Sequence, residues 1–169
     1  TPRTIDTTAM MVVVGGRSLF EYGDLAHVSV LASVRKSVLA MLYGKYVDDG
    51  TIRLDLTLAA LGFDDIGGLS PAEKQATIEH LLTARSGIYH AAANSGDDTS
   101  HAPPRGSVTP GSKHLYNNWD FNAAGAVFEQ LVKRDIYDVL DSDLARPLGM
   151  EDFDRSIQRK SGNLKRSRH

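Results

Sequence analysis

The sequence predicts an α+β protein in which one β-hairpin is followed by a mainly helical region. A β-branched run over 10–14 leads into Gly15-Gly16, and a second short run returns over 18–22. This pattern is typical of a hairpin with a two-residue turn. Later segments repeat apolar residues at a spacing close to 3.6, which indicates helices. With 169 residues, 41% of them hydrophobic, the chain is long enough to bury a core.

The composition excludes several classes of protein. The chain has no cysteine, so a disulfide scaffold, thiolate catalysis and cysteine-bound zinc are ruled out. The formal net charge of −2 provides no basic field, and we expect no nucleic-acid partner. No apolar run approaches the roughly 20 residues that a membrane span requires.

The first helix is predicted to begin at Ser33 and to end near 48–50, where Asp48-Asp49-Gly50 is a plausible stop. Its expected apolar stripe consists of Val34, Val38, Met41 and Leu42.

An extended piece over 52–55 and one or two helical turns over 56–61 follow. Ser70-Pro71-Ala72-Glu73 is a capping box. It predicts that a helix opens there or shortly afterwards, carries Ile78, Leu81 and Leu82, and ends before Ser86-Gly87.

The second half alternates a long loop with two further helices. Residues 91–113 are rich in Gly, Pro, Ser, Asn and Asp and are predicted to be irregular. One helix is expected over about 120–133, with a stripe of Phe121, Ala124, Val127, Phe128 and Leu131. Another is expected over about 136–145, stopped by Pro147. The basic segment 154–169 shows no periodicity and is interpreted as an irregular tail.

Ser33 and Lys36 form a Ser-x-x-Lys pair at the start of the first helix. Residues three apart lie on one helix face, so the lysine nitrogen can reach the serine oxygen. A serine hydroxyl is a poor nucleophile until a neighbouring base takes its proton, and a lysine can be that base when its surroundings lower its pKa. The alternative is that Ser33 caps the helix and Lys36 is a solvated side chain.

Tyr116-Asn117-Asn118 stands between the long loop and the next predicted helix. A tyrosine can shuttle a proton, and an asparagine can orient both a lysine and a substrate amide. The alternative is a polar turn in which Asn118 or Asp120 caps the helix.

Together the two motifs occur in the arrangement of serine acyl-transferases. The sequence resembles the class C β-lactamase-related serine hydrolases, which share the β-lactamase and penicillin-binding-protein transpeptidase fold, from about Met10 to Phe153. Their second motif is Tyr-x-Asn. The resemblance rests on these stretches: Ala32-Ser33-Val34-Arg35-Lys36-Ser37, Asp49-Gly50-Thr51-Ile52-Arg53-Leu54-Asp55, Leu81-Leu82-Thr83-Ala84-Arg85-Ser86-Gly87, Tyr116-Asn117-Asn118-Trp119 and Pro147-Leu148-Gly149-Met150.

The resemblance implies a role for each motif residue. Ser33 would be the nucleophile that forms an acyl-enzyme, and its own N–H would be half of the oxyanion hole. Lys36 would be the neighbouring base, and Tyr116 would share the proton transfer and protonate the leaving group. Asn118 would hold Lys36 and the substrate amide. His90, in a loop that resembles the family's loop at the mouth of the site, is expected to be a structural histidine.

The chain departs from the family pattern in its third motif, a Lys-Thr-Gly or similar triplet on a strand opposite the nucleophile. Lys160-Ser161-Gly162 is the one candidate, but its flanks lack the β-branched or alternating apolar residues of a buried strand. We therefore interpret it as part of a basic loop.

Most of the main antiparallel sheet is accordingly expected to be missing, and residues 1–169 are interpreted as the N-terminal part of one partial β-lactamase-like domain. The hairpin would then expose Met10 to Val14 and Phe20. Three explanations stay open: an ordered part of a longer chain, a truncated chain, or a split protein that a partner chain completes.

The leading hypothesis is a serine hydrolase or acyltransferase that cleaves amide or ester bonds of a small molecule through an acyl-enzyme on Ser33. We expect little turnover from these 169 residues alone, because half of the oxyanion hole is expected to be missing. The alternative is a catalytically inactive module with a binding or structural role. The resemblance implies no cofactor and favours a periplasmic or secreted protein.

A weaker alternative is a metal site made by His90, Asp97, Asp98 and His101. These residues lie in a loop without a recognised ligand spacing, so solvated loop residues are the favoured interpretation.

Overall fold

The structure is a computed structural model that describes residues 7–94 and 100–169. The chain divides into two compact units, residues 1–32 and residues 33–169. That both belong to one domain stays a prediction.

The first unit contains the predicted hairpin. Strand β1 (Ala9–Val14) pairs antiparallel with strand β2 (Arg17–Gly23). Gly15 and Gly16 have φ of +58° and +75°, which suits a two-residue turn whose twist matches that of the strands. Val12 pairs with Phe20 but Val13 pairs with Ser18, so one residue of β2 is left over as a bulge.

The large apolar side chains of this hairpin are exposed. Val14 is 60% exposed and Phe20 is 51% exposed, and the other large apolar residues of the two strands are exposed as well. Outside β1 and β2 the described residues contain only an isolated bridge between Thr57 and Thr77. The α+β class is therefore confirmed, with a sheet of two strands.

The second unit is built around helix α1 (Val34–Asp48) and helix α3 (Asn118–Val132). The two helices meet through aromatic rings: Phe128 lies 5.1 Å from Tyr43 and 5.3 Å from Tyr46, measured between ring centroids. The Tyr43 hydroxyl donates to the carbonyl of Ala124 at 2.7 Å. Further apolar side chains buried in this core include Ile52, Leu58, Ile78, Leu81, Ile88, Trp119, Val127 and Val139.

The predicted stripe of α1 was partly wrong. Val34 and Met41 are more than half exposed. The buried face instead runs through Lys36, Leu39, Tyr43 and Tyr46, spaced by three or four residues. Because three of these four side chains carry a polar atom, a count of apolar positions selects the wrong face.

Helix α2 (Ile78–Leu82) carries Ile78, Leu81 and Leu82 as predicted, and it begins after the Ser70 box, at a cap of its own. The box at Ser70 and Glu73 forms, but it opens only a 3-10 turn over Glu73–Gln75. The cap of α2 is Thr77, whose side chain accepts from the His80 N–H while the His80 ring accepts from the Thr77 N–H. The expected helical turns over 56–61 are hydrogen-bonded turns without an assigned helix.

The last helical segment continues beyond its predicted end. Helix α4 (Ile136–Leu140) passes into a π turn (Asp141–Ala145) and then into helix α5 (Arg146–Leu148). The prediction that Pro147 stops the helix was wrong. After the wider π turn, Pro147 falls in the first turn of α5, where its missing N–H costs no hydrogen bond.

The tail has one 3-10 turn (Arg155–Ile157) and no other helix or strand, yet its end packs on the residues around Asp65 in the same unit. Ser167 is fully buried, and its hydroxyl donates to Asp65 Oδ2 at 2.6 Å. The N–H of Arg168 and the indole N–H of Trp119 each donate to the same carboxylate at 2.7 Å. Burial by itself would raise the pKa of Asp65, but these hydrogen bonds outweigh it and lower the pKa.

Candidate active site

The four predicted site residues come together between the N-terminal ends of α1 and α3. Ser33 immediately precedes α1, and Lys36 lies in its first turn. Asn118 is the first residue of α3, and Tyr116 stands two residues before it. Two segments about 80 residues apart in the sequence therefore form one cluster.

Hydrogen bonds join all four side chains. The side-chain nitrogen Nζ of Lys36 donates to Tyr116 Oη at 2.5 Å and to Asn118 Oδ1 at 2.6 Å. It also reaches Ser33 Oγ at 3.3 Å. The hydroxyl of Tyr116 donates to the same Ser33 oxygen at 2.7 Å. Ser33 Oγ thus accepts hydrogen bonds from two groups that can exchange protons.

Burial differs sharply across the cluster. Lys36 and Asn118 are each 7% exposed, whereas Ser33 is exposed and Tyr116 is 47% exposed. The Lys36 nitrogen lies over the rings of Tyr116 and Phe121, 4.4 Å and 5.1 Å from their centroids. Among the described residues no carboxylate forms an ion pair with this ammonium group. The polar head of the lysine is thus held inside the protein and the serine oxygen faces outward.

These contacts contradict the alternative interpretations of both motifs. The Ser33 side chain makes no cap hydrogen bond, and Lys36 is buried, not solvated. The cap of α3 is Asn117, whose side chain accepts from the Asp120 N–H at 2.8 Å. Asn118 therefore does not cap the helix, and its side-chain oxygen accepts from Lys36.

Sequence reasoning assigned Phe121 only to the core. In the structure it is half-buried, and its ring centroid lies 5.9 Å from that of Tyr116. The signal was its spacing, because a residue three positions after Asn118 shares the helix face of that asparagine. Phe121 therefore forms part of the apolar wall beside the lysine.

His90 lies apart from these four residues. Its Nε2 is 2.7 Å from the carbonyl of Ile66, its Nδ1 is 3.0 Å from the carbonyl of Ala91, and its ring stacks on Trp119. Its Nδ1 also lies 3.9 Å from the buried carboxylate of Asp65. These partners are main-chain or buried groups, and a structural role for His90 stays a prediction.

The remaining candidate sites are not assembled in the described part of the chain. Lys160 forms ion pairs with Glu129 and Asp135 at 2.5 Å and 3.2 Å, and no strand includes 160–162. Asp97 and Asp98 lie outside the described residues. Within 7–94 and 100–169, no three His, Cys, Asp or Glu side chains are grouped so that they could hold a metal ion. The helices of the same residues are all too short or too polar to cross a membrane.

Comparisons with known proteins identify the family to which the chain is similar. The sequence profile of the Beta-lactamase family matches residues 3–156. Among solved structures, the chain is similar to SurE, crystallised with D-Leu, at 26% identity and a TM-score of 0.60, over 83% of this chain and 35% of that one. A penicillin-binding protein homolog from Caulobacter crescentus shows 22% identity and a TM-score of 0.48, over 69% and 33% of the two chains. No curated protein sequence matches. The chain spans about a third of the length of the two solved structures.

Proposed function

The chain belongs to the beta-lactamase family, a serine hydrolase-type superfamily, and from this premise we propose that Ser33 is the nucleophile of a serine hydrolase or acyltransferase. The bond cleaved is an amide or ester of a small molecule. One observation carries the proposal: the exposed Ser33 oxygen accepts hydrogen bonds from both Lys36 and Tyr116.

The proton of the Ser33 hydroxyl has two routes out of the nucleophile. It can pass directly to the amine form of Lys36 across 3.3 Å, or to Tyr116 Oη across 2.7 Å as the tyrosine passes its own proton to that amine. Because Tyr116 and Lys36 share a hydrogen bond of 2.5 Å, both routes lead to the same pair. General-base help of this kind contributes roughly 10²- to 10⁴-fold to a rate.

The acylation step balances within this cluster. The serine oxygen attacks the carbonyl carbon as its proton passes to the Lys36–Tyr116 pair, and the carbonyl electrons move onto oxygen. As the family resemblance implies, the N–H of Ser33 at the start of α1 is the donor to the developing charge. When the carbonyl re-forms, the C–N or C–O bond breaks, and the leaving group takes the proton back from Tyr116.

Deacylation repeats the same steps with water, an alcohol or an amine as the attacking group. Asn118 holds Lys36 in place through its Oδ1 at 2.6 Å, and its amide N–H₂ can donate to a substrate carbonyl. We favour a small amide or ester over a dedicated antibiotic substrate, because no motif in the sequence encodes antibiotic selectivity.

A fluorophosphonate probe tests the nucleophile, because covalent capture needs one reaction and no turnover. We expect the probe to add its mass to Ser33, located by peptide mass spectrometry, and Ser33→Ala to abolish the labelling. Ser37→Ala is the matched control, since Ser37 is an exposed serine of the same helix. Labelling that survives in Ser33→Ala would refute the proposal. An intact wild-type protein that stays unlabelled would favour the inactive module instead.

A further inference from the structure

The proposed chemistry leaves a buried serine–aspartate pair unused. Ser86 follows α2 and is 1% exposed, and Asp120 lies in the first turn of α3 with no exposed surface. An ionised carboxylate is costly to bury unless it is hydrogen-bonded. A pair in this position therefore calls for an explanation beyond packing.

The hydrogen bonds of this pair are short and directional. The Ser86 hydroxyl donates to Asp120 Oδ1 at 2.5 Å, and the Ser86 N–H makes a longer contact of 3.5 Å with Oδ2. The Ser86 oxygen also accepts the N–H of Ile88 at 2.9 Å. Hydrogen bonds to a carboxylate are shorter and roughly twice as strong as neutral ones, so the loop after α2 is fastened to the first turn of α3.

Two backbone hydrogen bonds join the same loop to residues that precede Tyr116 in the sequence. The N–H of Leu115 donates to the carbonyl of Ala84 at 2.9 Å, and the N–H of Gly111 donates to the carbonyl of Arg85 at 2.7 Å. The segment that carries Tyr116 is therefore tied to one loop both before and after the tyrosine.

The backbone of the loop that contains Ala84 and Gly87 is conformationally restricted. Gly87 has φ of +72°, and a Cβ atom there would lie 2.8 Å from the carbonyl oxygen of Val108. Only glycine fits this close approach without strain. Ala84, also at positive φ, completes the tight turn. Burial, and then the charge of Asp120, raise the pKa of the nearby Tyr89.

We propose that the Ser86–Asp120 pair positions Tyr116 and Asn118 against Lys36. The inference rests on the proposed function for its catalytic consequence. Neither member of the pair is part of the four-residue cluster, so both are positioning residues. The pair fixes the backbone from Leu115 to Asp120, and that backbone sets the 2.5 Å and 2.6 Å contacts of the lysine.

The test compares three variants of the full chain. Ser86→Ala removes the donor to the carboxylate, and Asp120→Asn keeps an oxygen that accepts from Ser86. Tyr43→Phe is the matched control, because it also removes a buried hydrogen bond to α3, from Tyr43 to Ala124, but on the side of the core. Thermal unfolding places the three variants on one stability scale.

Two readouts separate positioning from general stability. The first is hydrogen exchange of the amides of Leu115 and Asp120, which we expect Ser86→Ala to accelerate about tenfold or more. The second is fluorophosphonate labelling of Ser33, analysed as the maximal rate and the half-saturating probe concentration. Ser86→Ala should lower the maximal rate roughly ten- to hundredfold and leave half-saturation unchanged. Asp120→Asn should have a smaller effect, and Tyr43→Phe should change neither readout.

The exchange rates and the labelling rates together decide whether the Ser86–Asp120 pair positions the Tyr116 segment. Unchanged exchange in Ser86→Ala would overturn it, and so would an equal loss of labelling rate in Tyr43→Phe at equal stability. Faster exchange with an intact labelling rate would also overturn it, because the segment would then be loose without consequence. If the wild-type chain is not labelled, the proposed function fails, while hydrogen exchange still shows whether the pair holds the segment.

Discussion

Asp143 links the π turn to α1, and Asp143→Asn should destabilise the protein in a pH-dependent way. Its carboxylate accepts hydrogen bonds from Lys45 at 2.7 Å, from Tyr46 at 2.8 Å and from Ser142 at 2.5 Å. Burial opposes ionisation, but these bonds outweigh it and lower the pKa of Asp143 from 3.8 to about 2. The folded state is therefore stabilised by the charged form.

The size of the effect follows from that pKa. Each pKa unit corresponds to about 1.4 kcal/mol, and the side chain of Asp143 is only 10% exposed. Because Lys45 is 58% exposed and solvent screens its charge, we expect a loss of about 1–2 kcal/mol at pH 7. A change of this size lowers the melting temperature by roughly 2–8 °C.

The stabilisation that the Asp143 carboxylate provides depends on pH. The folded pKa is below the unfolded value, so the stabilisation is fully present above pH 3.8 and is lost as the pH falls through about 2. Thermal unfolding followed by circular dichroism should show the gap between wild type and Asp143→Asn shrinking over that range.

Asp141→Asn is the matched control for this measurement. Asp141 is a neighbouring carboxylate paired with Arg146, which is 70% exposed. Its loss should cost no more than about 0.5 kcal/mol. Equal effects of the two substitutions at pH 7, or a gap for Asp143→Asn that persists unchanged at pH 2, would refute the reasoning.

Two other substitutions test buried contacts. Ser167→Ala removes one donor to the Asp65 carboxylate and should cost about 1–3 kcal/mol in urea unfolding, whereas Ser161→Ala, at an exposed serine, should cost almost nothing; equal costs would contradict the contact. Gly87→Ala meets both positive φ and a carbonyl oxygen, and should lower stability more than Gly62→Ala, which has φ of +62° and open space around it. Differential scanning calorimetry compares this second pair, and a milder effect at Gly87 would show that the close approach is relaxed at little cost.

The hairpin and the four-residue cluster were accessible from the sequence because their signals are local or ordered along the chain. Gly15-Gly16 specifies its turn through two positive φ angles. Ser33 and Lys36 lie one helical turn apart, which fixes their proximity once α1 forms. The contact of Lys36 with Tyr116 came only from the order of motifs, since no local rule joins residues 80 positions apart.

The predictions that failed did so because contacts between distant parts of the chain decide the outcome. The buried face of α1 carries Lys36 and Tyr43, whose polar atoms find partners on the segment around α3. The helix runs through Pro147 because the π turn before it changes the hydrogen-bond register. Ser86 and Asp120 carry no recognisable spacing, so their pairing becomes visible only when α2 and α3 pack together.

The docking of Ser167 on Asp65 also affects the order in which the protein folds. The two residues are 102 positions apart, so this contact closes one of the longest loops in the chain, and loop closure of that length is entropically costly early in folding. We expect Trp119 to reach Asp65 once α3 is in place, and Ser167 and Arg168 to dock afterwards. Contacts made after the transition state slow unfolding and leave the folding rate nearly unchanged. The residues beyond the family match at 156 would then lower the unfolding rate and so lengthen the lifetime of the folded state.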